Sequence, residues 1–256
     1  MKQVSVFLGV FRYEFRMQIH RPALWIAFSG LALLFLSRYY QFLTTNPLHL
    51  PLLTDIAAWT RNVNFILPVA VGVLMADRLP RDRRYRVEEL VSTMPGTLNT
   101  RLIGKYLGSL SATLTPMFIY YFLGLLCILY QSHNIQVLPY GLLTFATITL
   151  PGMFFVGAFS LACTSLIWVP LYQFLFIGYW FWGNILSPLN GIPTLSETIL
   201  TPVGGFMASG YFGDNFQLIS RATPLQATES LLLLLGTSIL VIYALWQILR
   251  WQQARQ

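Results

Sequence analysis

Six long apolar runs, separated by shorter polar stretches, approach the about 20 residues that a helix needs to cross a bilayer. They cover roughly residues 23–43, 58–76, 106–130, 138–164, 166–186 and 230–249. Arg61 and Asn64 cut into the start of the second run, which a snorkelling side chain tolerates near a span end. Residues 1–22 follow another period. Val6, Phe7, Val10, Phe11 and Phe15 recur at helical spacing, with Arg12, Glu14, Arg16 and Gln18 between them. That pattern predicts an elbow helix lying in the membrane interface, ended by Pro22. Residues 187–228 are rich in Gly and Pro, and "LSETILTPVGGFMASGYFG" is too broken to span. A loop with a re-entrant hairpin is expected there. The predicted fold is an all-α integral membrane protein. It has one transmembrane domain over 1–256, six transmembrane helices and the N-terminal interfacial elbow helix.

Composition agrees with the pattern. Of 256 residues, 55% are hydrophobic and 10% charged, with mean hydropathy +0.61; soluble domains average about 25% charged residues. The net charge of +7 would raise nucleic acid in a soluble protein. Here the basic residues flank apolar runs and interleave with no aromatic recognition module, so membrane lipids are the expected partner and nucleic acid is not. Thirteen of the sixteen Lys and Arg fall on one side if both termini are cytoplasmic. The positive-inside rule therefore predicts cytoplasmic N and C termini, an even number of spans and an extracytoplasmic 187–228 loop. No uninterrupted apolar run occupies the first 20 residues, so no cleavable signal is expected. Cys127 and Cys163 lie inside apolar runs, and His20, His49 and His133 stand far apart. Neither a disulfide framework nor a metal set is predicted.

The cytoplasmic loop 77–105 stands out. Arg78, Arg81, Arg83, Arg84 and Arg86 fall within nine residues. After Pro80, "RDRRYRVEELVSTM" reads as a short amphipathic helix, with Tyr85, Val87, Leu90 and Met94 near one face and Pro95-Gly96 ending it. Such a face needs a groove to bury it, in headgroups or on a partner. The stretch "RRYRVEELVSTMPGTLNTRLIGKYLGS" resembles the cytoplasmic coupling region of type-2 ABC transporter permeases. The matching residues are Arg84, Arg86, Glu88 or Glu89, Leu90, Ser92, Pro95, Gly104 and Lys105. The elbow helix, six spans and cytoplasmic termini resemble that family's architecture as well.

The resemblance implies a permease subunit of an exporter in the cytoplasmic (inner) membrane. It implies that Arg84, Arg86, Glu88, Glu89, Leu90 and Pro95 couple to a separate ATP-binding cassette ATPase subunit, with Gly104 and Lys105 anchoring the next span at the interface. It further implies two ATPase subunits and a second permease, the same or a related chain. ATP and Mg would sit on the partner, with no cofactor on this chain and no enzymatic activity of its own. The nearest approach to a phosphate loop, Gly96 to Tyr106, has glycines eight apart and Tyr106 where a Mg-binding hydroxyl belongs. Residues 106–164 contain no Asp, Glu, Lys or Arg, which argues against an ion-driven carrier. Ser109, Thr113, Thr144 and Thr147 are candidate linings of a substrate path, or hydroxyls that pack helices. The competing reading is a non-transporting membrane scaffold or anchor subunit. No HExxH, GxSxG or paired carboxylates support an intramembrane enzyme.

Overall fold

The computed structural model describes the backbone of residues 2–45, 51–84, 97–186, 191, 193–214 and 222–254, and the side chains of all of these except 2–3, 34–45 and 83–84. All regular structure among the described residues is helical. The order is α1 (Lys2–Ile19), α2 (Pro22–Thr45), α3 (Leu52–Ala76), α4 (Arg78–Arg84), α5 (Leu98–Ser132), α6 (Val137–Thr144), α7 (Leu150–Cys163), α8 (Val169–Ile185), α9 (Gly205–Phe212) and α10 (Pro224–Gln253). A π-helical turn, Phe145–Thr149, joins α6 to α7. Four helical stretches are long and apolar enough to cross a membrane: Leu52–Asp82, Leu98–Ser132, Val137–Cys163 and Pro224–Gln253. The other two apolar runs are helical too, as the 24-residue α2 and the 17-residue α8.

Helix ends depart from the apolar runs where capping chemistry intervenes. Helix α5 starts at Leu98, not near 106, because Thr97 caps it by accepting the Thr100 N–H. Its 35 residues extend about 52 Å, well beyond the about 30 Å of a bilayer core. Helix α10 starts at Pro224 behind a reciprocal capping box between Thr223 and Gln226. Helix α3 starts at Leu52, so Arg61 and Asn64 lie within the helix and not at its mouth. Helix α4 corrects the expected boundary at Pro80. It begins at Arg78, with only Asp77 between it and the end of α3, and Pro80 occupies its first turn, where a missing N–H leaves no bond unmade. The rest of the predicted loop helix, from Tyr85 to Pro95-Gly96, lies outside the described residues.

Helix α3 is the hub. It meets α2, α5, α6, α7, α8 and α9, and its Trp59, Leu67, Val71 and Met75 share one core with Leu110, Met117, Tyr121 and Leu125 of α5 and Met153 and Leu161 of α7. The 193–214 segment folds back into this bundle. Every residue from Thr201 to Ser209 is buried, and α9 packs on α3, α10 and the π-helical turn.

Candidate functional site: a buried charged node

Polar side chains gather at two levels of the bundle. The first cluster forms where α1 lies along α5. A Cβ on Gly108 would stand 2.7 Å from the Phe11 carbonyl oxygen and 3.0 Å from Glu14 Cβ, and one on Gly104 would stand 3.2 Å from Val10 Cβ. Glycines spaced four apart on one helix face let two backbones approach this closely. Phe7, Phe11 and Phe15 follow one another along α1, with neighbouring ring centroids 6.2 and 6.3 Å apart.

This approach buries charge. Glu14 is 4% exposed. Its Oε1 lies 3.8 Å from Lys105 Nζ, and its Oε2 accepts from the Ser109 hydroxyl at 3.4 Å. Lys105 also pairs with Asp82 of α4. Arg21, at the turn between α1 and α2, pairs with Asp77 at 3.8 Å. Arg78 is 1% exposed and lies within electrostatic reach of Glu14 and Asp77. The node therefore ties α1, the α3–α4 junction and the base of α5 together through ions. Charges leave water at high cost, and only mutual pairing with hydrogen bonds offsets it.

The second cluster is neutral. Thr60 Oγ1 lies 3.0 Å from both Tyr121 Oη and Thr144 Oγ1, and Tyr121 Oη lies 2.9 Å from Thr144 Oγ1. Tyr121 donates to the Gly141 carbonyl at 2.8 Å, and Trp59 donates to the Tyr121 carbonyl at 3.2 Å. One turn along α3, the Asn64 amide donates to the carbonyls of Pro202 and Val203 at 3.0 and 2.8 Å. Asn64 is twelve residues into α3, about 18 Å from its start, so the folded-back segment reaches mid-bundle. It fits because Gly152 and Gly204 are bare. A Cβ on Gly152 would stand 2.2 Å from the Pro202 carbonyl oxygen, and Gly204, at φ +84°, abuts Ile148 of the π-helical turn. The far end is held by Arg61, whose guanidinium grips Asp214 at 2.6 and 3.4 Å.

The candidate residues read from the sequence are dispersed. Gly104 and Lys105 are both in the charged node. Arg84 is the last residue of α4; its side chain, and all of Arg86, Glu88, Glu89, Leu90 and Pro95, lie outside the described residues. Ser109 is bonded to Glu14, and Thr144 belongs to the neutral cluster. Thr113 and Thr147 donate to their own helices, at Leu110 and Leu143 carbonyls, each at 2.8 Å. The four hydroxyls thus line no common wall. Glu14, Gln18, Arg78 and Asp82 are not recognisable as a cluster from sequence spacing. The one signal of their meeting is Gly104-Lys105-Tyr106-Leu107-Gly108, a close-packing spacing with a cation inside it. Within the aromatic run 179–182, Trp180 is buried and donates to the Phe65 carbonyl at 2.7 Å. Among the described residues no three His, Cys, Asp or Glu side chains converge as a metal site requires.

The class is a helical protein built around four membrane-length apolar helices. No protein-family model matches the chain, and no curated protein matches it in sequence.

Proposed function

We propose that the chain is the membrane-spanning permease subunit of an ATP-driven exporter, with hydrolysis on a separate ATPase. In this reading α2, α3, α5, the α6–α7 rod, α8 and α10 are six spans, α1 is the elbow, both termini are cytoplasmic and the protein resides in the cytoplasmic membrane. The observation that carries the reading is the Glu14–Lys105–Asp82 node. Its Lys105 belongs to the Gly-Lys pair that the family resemblance picks out. The node clamps the elbow and the base of a span to α4, the start of the arginine-rich loop. A partner gripping the loop would then move α1 and α5 as one body, which is how a docked motor transmits a rigid-body rotation.

Glu88 and Glu89 are the loop's proposed contacts with the ATPase. Purification of the intact protein from native membranes in mild detergent, beside the double variant Glu88→Arg, Glu89→Arg, tests this. A stoichiometric ATP-binding chain is expected with the wild type and lost from the variant. Its absence from both would leave the scaffold reading, which the internally bonded Thr113, Thr144 and Thr147 hydroxyls favour because they offer no polar path.

A further inference from the structure

The charged node is unfinished at one corner. Arg78 is almost wholly buried, yet none of its three guanidinium nitrogens has an acceptor among the described residues. Gln18 is fully buried, and neither its amide nitrogen nor its carbonyl oxygen has a partner there. These side chains belong to one corner. Gln18 lies one helical turn after Glu14, which is within electrostatic reach of Arg78. It lies three residues before Arg21, which pairs with Asp77, the chain neighbour of Arg78. Residues three and four apart share a helix face, so Gln18 is turned to the same α3–α4 junction. Charges crowd this corner: Arg21 pairs with Asp77, and Lys105 with Glu14 and Asp82. Arg78 and Arg81 both lie close enough to Lys105 to repel it.

We propose that this corner binds an anionic phosphate group, through the Arg78 guanidinium and the Gln18 amide. A buried guanidinium without acceptors calls for an oxyanion, and the planar fork of Arg suits phosphate oxygens. Gln18 requires an acceptor for its NH2 and a donor for its carbonyl. A phosphate oxygen supplies the first. A hydroxyl on the same ligand, from hydrogen phosphate or a glycerol headgroup, supplies the second. A bound phosphate gives the Arg78 guanidinium its acceptors and fixes α1 against the α3–α4 junction. The inference holds whether or not an ATPase partner exists.

The test uses intact, delipidated protein in detergent micelles, with bound lipid counted by mass spectrometry of the whole protein. Phosphatidylglycerol, phosphatidylcholine and sodium phosphate are the probes. Wild type should retain phosphatidylglycerol in preference to phosphatidylcholine. Arg78→Gln should weaken that binding about tenfold or more, the loss typical of a charge-assisted contact. Gln18→Leu keeps the volume and introduces no charge, and guards against misfolding of the first variant; it should weaken binding by roughly threefold to tenfold. Displacement of the lipid by sodium phosphate would identify the phosphate group itself as the ligand. Retention of the lipid against sodium phosphate would assign the site to the whole headgroup. Equal retention of the two lipids by wild type, with no thermal shift in sodium phosphate, would overturn the proposal. So would unchanged phosphatidylglycerol binding in both variants.

Discussion

The two polar clusters of this bundle solve burial in opposite ways. The Thr60–Tyr121–Thr144 cluster and the Asn64 bonds to Pro202 and Val203 use neutral groups, bonded within the chain except at the Asn64 side-chain carbonyl oxygen. The Glu14–Lys105–Asp82 node uses charges, and its neighbours Arg78 and Gln18 are left without partners among the described residues. Neutral, satisfied groups fix an architecture at little standing cost. Buried ions are costly unless complete, and they join elements that stay dependent on what binds them. The difference marks one cluster as the internal fastening of the helices and the other as a junction poised to receive something.

The largest effect should come from removing the most deeply buried acid of the node. Glu14→Ala removes the counter-charge shared by Lys105 and Arg78, leaving Lys105 to Asp82 and Arg78 to Asp77, and removal of one partner of a buried ion pair typically costs about 3–5 kcal/mol. Thermal unfolding in detergent should show a greater loss than any single change in the neutral cluster produces, partly recovered when Lys105→Met is added. Second comes the contact face itself. Gly108→Val drives a side chain into the Phe11 carbonyl 2.7 Å away, a clash of about 1–3 kcal/mol. It should detach α1, read as faster labelling of a cysteine placed at Phe15, without altering the neutral cluster.

On the neutral side the effects should be smaller and more local. Asn64→Leu removes both bonds to the folded-back segment and leaves two buried carbonyls unpaired, about 1–3 kcal/mol for each group left bare. A cysteine at Ser209 should then become accessible to a thiol reagent, while Glu14 and Lys105 stay paired. Tyr121→Phe should cost least, about 0.6 kcal/mol if it behaves like the average membrane-helix hydrogen bond. A loss as large as that of Glu14→Ala would dissolve the contrast between the clusters.

The helical elements were legible because hydrophobic length is a local property: four of the six apolar runs lie wholly within one helix, the 138–164 run follows the α6–α7 rod as far as Cys163, and the 166–186 run overruns α8 at both ends. Their ends were less so. The start of α5 depends on Thr97, a polar residue outside any apolar window, and α4 depends on Pro80 being harmless in a first helical turn. The site was half legible. Gly104 and Lys105 were visible as a pair, but their partners are not neighbours in sequence. Glu14 is 91 residues from Lys105, and Asp214 is 153 from Arg61. Arg61 and Asn64 read as flaws in a span because a sequence window cannot see the segment they hold. Glu14 and Gln18 read as polar positions between apolar ones on an interfacial helix. Both are in fact buried, Glu14 because Gly108 brings α5 against that side of α1.

ATP hydrolysis that travels with the chain is the most direct measure of the proposed function. The intact protein should be isolated from native membranes as wild type, as Lys105→Met and as the Glu88→Arg, Glu89→Arg double variant, and each eluate assayed for ATP turnover. The permease reading predicts turnover co-eluting with wild type, a bound but weakly active ATPase with Lys105→Met, and none with the loop variant. Wild-type chain that elutes alone, with no associated hydrolysis, would contradict it.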